Sequence, residues 1–121
     1  MDALKPDSDF RQFLAQGRFM IQRSASGRHT FYPRVAEPGT GAELQWVEAS
    51  GRGVVYATTV VRRKPPEPSY NVALIDLDEG PRMMSRVEGL APEAVTIGLR
   101  VQARLIAQDG EPIVVFDPAR G

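Results

Sequence analysis

A mainly β chain built around a small five-stranded barrel is the fold the sequence predicts. Two observations carry this. Glycine and proline occur 11 and 10 times and cut the chain into short segments. Between residues 52 and 118 those segments read as β-rich or alternating runs, bounded by turn sequences. Five such strands with two hairpin signals close most economically as a small barrel, closed or nearly so. A length of 121 residues allows one domain, or one domain with a small appendage.

The elements follow in chain order. Asp7 or Ser8 can cap a first helix, because a side-chain oxygen accepts a backbone N–H that has no partner in the first turn. Phe10, Phe13 and Leu14 then form one apolar stripe at helical spacing. Gly17 is the natural stop. Arg18–Gln22 and Thr30–Tyr32 form the arms of a small hairpin joined by Ser24–Arg28. Pro33, Pro38, Gly39 and Gly41 keep the following stretch irregular, and this piece is too thin to own a core.

The barrel strands begin with Gly53–Arg63, rich in Val and Thr, which ends at the three prolines of Lys64–Pro68. Tyr70–Leu77 alternates, with Val72, Leu74 and Asp76 on one face and Ala73, Ile75 and Leu77 on the other. Asp78-Glu79-Gly80-Pro81 is a turn, with glycine free to take positive φ and proline fixed in φ. Arg82–Glu88 is the return strand, and Ala91–Ala94 is a loop or a single helical turn. Leu99–Ala107 alternates Leu99, Val101, Ala103 and Leu105 against Arg100, Gln102 and Arg104. Asp109-Gly110 is a two-residue hairpin signal, and Pro112–Phe116 completes the set.

Composition removes several chemistries. Cysteine is absent, which excludes disulfides, iron–sulfur clusters, thiol catalysis and a cysteine-based zinc site, and fits a reducing cytoplasm. Fifteen basic residues balance fifteen acidic ones, unlike a globally basic nucleic-acid binder. No apolar run approaches the ~20 residues of a membrane span. The acidic start of the chain, with Asp2, Asp7 and Asp9, does not read as a signal peptide.

No catalytic constellation stands out. His29 is the single histidine and lies in an Arg-rich turn without an evident partner. Asp76, Asp78 and Glu79 match no complete metal loop and read as solvated turn charges. Gly39-Thr40-Gly41 and Gly51-Arg52-Gly53 complete neither a dinucleotide fingerprint nor a phosphate loop, so they read as turns or a bulge at a barrel corner.

The most unusual feature is a charge run. Arg11, Arg18, Arg23, Arg28 and Arg34 fall between Asp9 and Glu37 with no acid among them. Phe10, Phe13, Phe19, Phe31 and Tyr32 are interleaved with them. Arginine with aromatics suits phosphate clamping and base stacking. The plainer alternative is a solvated basic face with its aromatics packed inward.

The ordered set of segments resembles the acyl-CoA-associated OB-fold family that carries an N-terminal rubredoxin-like zinc ribbon. The matching pieces begin with Ile21-Gln22-Arg23, Gly27-Arg28-His29, Phe31-Tyr32-Pro33-Arg34, Trp46, Ser50-Gly51-Arg52-Gly53-Val54-Val55-Tyr56 and Thr59-Val60-Val61. Val72–Arg82, Ile97–Val101 and Phe116-Asp117-Pro118-Ala119 complete them, spanning nearly the whole chain. The resemblance implies a helical lead-in over 1–17, a zinc-ribbon-like segment over 18–47 and an OB barrel over 48–121. It also implies two Cys-x-x-Cys pairs, and here the chain departs. Arg23 and Ser26 fall at the first pair, or Ser24 with a one-residue slip; Glu37 and Thr40 fall at the second. Zinc in a closed structural site takes four thiolate or imidazole ligands, so a degenerate, metal-free segment is expected. Packing of Phe31, Tyr32 and Trp46 on the barrel, or a partner, would replace the metal's contribution.

The family's role implies a non-catalytic accessory subunit that docks onto a thiolase-like enzyme, with acyl-CoA as a candidate ligand and no cofactor. The arginine run with Phe10, Phe13, Phe19 and Tyr32 is then the expected contact surface. The alternative is an OB domain that binds single-stranded nucleic acid. Its support is thinner, since the barrel strands offer few aromatics and are not notably basic.

Overall fold

The computed structural model describes residues 6–119, apart from 35, 37, 38, 40 and 42. Helix α1 runs Pro6–Ala15. Pro6 is already helical, so Asp7 and Ser8 are not the cap the sequence suggested. They lie in the first turn, where proline is tolerated because its missing N–H has no helical partner. The far end is as expected. Gly17 takes φ +80°, and the Arg18 N–H reaches back to the Phe13 carbonyl at 2.8 Å, a six-to-one glycine closure of the helix.

A small sheet follows, of order β2-β1-β3, with β1 at Met20–Ser24, β2 at His29–Thr30 and β3 at Leu44–Glu48. The sequence pattern gave only the hairpin. β3 has no turn signal linking it to β1, but it pairs with β1 through its whole length, from Met20 opposite Glu48 to Ser24 opposite Leu44. This piece shares the barrel's core rather than owning one, as its thinness suggests. Phe19 and Ile21 belong to the same buried cluster as Val55, Ile75, Val101 and Phe116.

The second sheet has order β6-β5-β4-β7-β8, all neighbours antiparallel. Its strands are β4 (Arg52–Val61), β5 (Tyr70–Leu77), β6 (Arg82–Ser85), β7 (Arg100–Gln108) and β8 (Glu111–Pro118). β5 shows the expected alternation, with Ala73, Ile75 and Leu77 buried inward. Asp109 and Gly110 both take positive φ, as a tight hairpin turn between β7 and β8 requires. The 3-10 turn at Pro92–Ala94 links the two halves.

The sheet curls until its edges meet. Just past β6, Val87 bridges Phe116 of β8 in parallel, and the Phe116 N–H and carbonyl bond Arg86 and Glu88 at 3.0 and 2.7 Å. Two features of β4 allow the curl. Tyr56 is an extra residue between Val55 opposite Ile75 and Ala57 opposite Leu74, a bulge that bends the strand. Gly53 lets the chains approach, since a Cβ there would lie 2.6 Å from the Asp76 carbonyl oxygen.

Candidate functional site

Helix α1 lies against β1 and β8, and its apolar stripe closes on a group of aromatic rings. Phe10 is at the centre. Its ring centroid is 5.6 Å from Phe31, 6.4 Å from Trp46 and 6.5 Å from Phe19. Phe13 meets Trp46 at 5.3 Å, and the Arg18 guanidinium lies 5.5 Å from the Phe13 ring centroid. Trp46 thus packs on the helix rather than on the barrel. Edge-to-face and offset contacts of this kind add roughly 0.5–1.5 kcal/mol beyond area burial.

This geometry sorts the residues singled out in the sequence. Phe19 is 7% exposed and belongs to the core, so its ring cannot cover an external groove. Phe10 and Phe13 are half-buried against other rings. Arg18 is paired with Glu48 at 3.1 Å. Arg23, on β1, and Arg28, at the hairpin tip, are exposed, as is Arg34, and none has an ion-pair partner among the described residues. The Arg34 backbone is held by the buried Gln22, whose side-chain amide donates to its carbonyl and accepts from its N–H, both at 2.7 Å.

Three of the expected residues do come together. Phe10, Arg11 and Tyr32 line a groove of about 400 Å³ between α1 and the barrel, with Met84, Ile113 and Val114 as part of its floor. Tyr32 reaches it from a backbone at φ 60°, uncommon for a residue with a side chain. Its hydroxyl accepts the Met84 N–H at 3.1 Å. That N–H faces away from β5 on the edge strand, so the tyrosine satisfies a donor the ladder leaves over.

The barrel arginines are mostly neutralised within the chain. Arg82 bonds Asp76 at 2.6 Å, Arg100 bonds Asp78 at 3.1 Å, and Arg104 bonds Asp117 at 2.7 Å and Glu88 at 2.9 Å. The hydrogen bond to Asp76 raises the pKa of Arg82, and the hydrogen bond to Asp117 that of Arg104, so both stay charged. The arginines are solvent-exposed and their carboxylates partly so, where water and salt screen such pairs and they add little to stability. His29 makes no side-chain hydrogen bond to another described residue, which leaves it without the orienting partner a base needs.

The zinc positions implied by the family resemblance can be tested on their described half. The Ser24 hydroxyl is buried and engaged with the Ser26 hydroxyl at 2.7 Å, and the Ser24 N–H bonds the Arg28 carbonyl at 2.9 Å. A guanidinium at Arg23 and two mutually bonded hydroxyls do not fit a zinc ligand set. Among the described residues no group of three His, Cys, Asp or Glu is placed to hold a metal ion. Glu37 and Thr40 lie outside the described residues. Among the described residues no helix is long and apolar enough to cross a membrane.

Sequence reasoning missed Met84, Ile113 and Val114 as groove residues, and Gln22 as the anchor of the Arg34 segment. One signal was present. Val72 and Leu74 make β5 apolar on both faces, which an outer barrel strand facing only water has no need to be.

A curled five-stranded antiparallel sheet whose third and fifth strands approach in parallel, with a helix and a three-stranded ribbon sheet ahead of it, defines an OB-fold domain with an N-terminal extension. The model of the ChsH2 C-terminal OB-fold domain matches residues 46–105. A solved structure, Ltp2-ChsH2(DUF35) aldolase, superposes with a TM-score of 0.84 at 30% identity, covering 99% of each chain. The chain belongs to this DUF35 family of acyl-CoA-associated OB-fold proteins. It is 35% identical over 111 residues to a probable enoyl-CoA hydratase alpha subunit of Thermomonospora curvata, covering 86% of this chain and 34% of that one. It is 35% identical over 79 residues to a DUF35 domain-containing scaffold protein of Methanocaldococcus jannaschii, covering 60% of this chain and 56% of that one. The chain thus spans about a third of the hydratase subunit's length and just over half of the scaffold protein's.

Proposed function

We propose that this chain is a non-catalytic accessory subunit that docks onto a thiolase-like enzyme of acyl-CoA chemistry and helps form its acyl-CoA site. The observation that carries this reading is the whole-length superposition on Ltp2-ChsH2(DUF35) aldolase. Relatives named as a scaffold protein and as a hydratase alpha subunit point the same way. Arg23, Arg28 and Arg34 are exposed cations without an ion-pair partner among the described residues, open to acidic partner residues or the phosphates of CoA. Nucleic-acid binding has less in its favour: Arg82, Arg100 and Arg104 face carboxylates of the chain itself, so the barrel lacks a free basic stripe.

The test is purification of the tagged chain from its cells of origin, with the eluate read by mass spectrometry and by the ratio of absorbance at 260 and 280 nm. A thiolase-like enzyme recovered near one to one supports the proposal. Recovery of nucleic acid alone, with affinity falling steeply as salt rises, replaces it with the nucleic-acid reading. Within the complex, Arg23→Glu with Arg28→Glu should abolish partner or CoA binding while the melting temperature barely moves. Unchanged binding of both removes the arginine run from the site.

A further inference from the structure

The outer face of the barrel carries an apolar surface that the chain's own packing does not use. Leu74 points outward and is flanked across the ladder by Ala57 on β4 and Met84 on β6; Val72 also faces outward, opposite Thr59. Met84 is 60% exposed. With Ile113 and Val114 it lines both the groove beside α1 and a second hollow of about 320 Å³ bounded by Tyr70 and Val72. The two hollows share these three residues and form one furrow.

The chain has three tyrosines, and all of them are exposed at this face. Tyr32 walls the furrow on the helix side and Tyr70 on the other. Tyr56 stands on the bulge with the Arg82 guanidinium 3.4 Å from its ring centroid, and Arg63 covers Tyr70 at 4.5 Å. Exposed tyrosine, arginine and methionine around an apolar centre is the composition of a protein-contact hot spot, where such side chains are enriched.

We propose that this face, centred on Met84, is where the enzyme subunit docks, and that it receives a neutral, apolar part of that subunit's folded surface. The proposal rests on the accessory-subunit reading above. Two observations select this occupant. The barrel's rim arginines are matched within the chain, Arg82 by Asp76, Arg86 by Glu88 at 2.8 Å and Arg63 by Glu67 at 3.4 Å, and Arg11 on the helix side shares its groove with Asp7, so a polyanion or a charged bilayer finds no strong complementary field. The strand edges are closed by side chains: Ser85 donates to the Val114 carbonyl at 2.9 Å, Tyr32 takes the Met84 N–H, and Pro112 has no N–H. A peptide therefore cannot add as a strand, and contact runs through side chains. A second copy is the competing occupant, and the oligomeric state of the isolated chain decides against or for it.

The experiment uses the full chain and the acyl-CoA enzyme identified in the purification above, itself purified. Met84→Glu should weaken binding about tenfold or more, and Met84→Leu should stay within about threefold of the parent chain. Hydrogen exchange on the unaltered complex gives a readout that no substitution can confound, with protection expected at 72–74 and 84. Equal binding by Met84→Glu, with no protection at those residues, overturns the docking face and leaves the accessory-subunit reading standing. Failure of the parent chain to recover any acyl-CoA enzyme overturns both. A dimer of the isolated chain that dissociates in Met84→Glu overturns the proposal in favour of self-association.

Discussion

Strand β4 runs for ten residues, paired with β5 from Gly53 to Val61 and with β7 from Arg52 to Val54; strand β2 runs for two. The barrel and the lead-in of helix and ribbon sheet therefore satisfy their backbones by different means. In the barrel, long antiparallel ladders pair the polar backbone, and aliphatic side chains such as Val55, Ile75 and Val101 fill the inside with almost no exposed area. In the lead-in the ladders are too short to do this. Side chains take over: Gln22 holds the Arg34 backbone from both sides, Ser24 and Ser26 bond each other at the hairpin, and aromatic rings fill the space under α1. The contrast shows how a ribbon segment without cysteines can be fastened. Buried hydrogen bonds and ring packing do locally what a ladder or a metal would otherwise do.

Substitutions can break this contrast, beginning with the most severe. Val55→Asp places a carboxylate where exposure is nil and no partner exists, and should cost more than about 4 kcal/mol. Loss of the cooperative denaturant transition, with both regions unfolding together, is the expected result. Survival of the ribbon sheet alone, read as residual exchange protection at 20–24, would show that the two regions fold independently despite their shared core. Phe10→Ala removes the ring that joins Phe19, Phe31 and Trp46, and should cost about 3 kcal/mol. Because Trp46 is the chain's one tryptophan, its fluorescence should shift to the red. An unshifted spectrum would mean the rings are not a single packed unit.

The finest distinction comes from Gln22→Ala. It deletes both bonds to the Arg34 backbone and leaves that N–H and carbonyl without these partners, a cost of about 2 kcal/mol. Amide exchange at Arg34 should accelerate far more than at Ile75. Uniform acceleration across the chain would instead make Gln22 a global stability residue and erase the difference drawn between the regions.

Most of the barrel was legible because its signals are local. Tyr70–Leu77 alternates with period two, Asp109-Gly110 specifies its turn, and Gly17 closes its helix, each within a few residues. β3 was not legible, because Trp46 and Val47 become a strand only when β1 offers an edge more than twenty residues away in sequence. The arginine run shows the same limit. Its composition pointed to a surface that meets phosphates or acids, but sequence spacing could not say which rings turn inward.

The sequence by itself determined the β architecture, the absence of thiol ligands and the turn positions, because periodicity, composition and backbone sterics act locally. Only the tertiary structure decided that Phe19 is core, that Arg18 is spent on Glu48, and that Tyr32, Tyr56 and Tyr70 gather on one outer face around Met84. Those outcomes depend on which strands become neighbours when the sheet curls, and long-range pairing leaves no mark on the spacing of nearby residues.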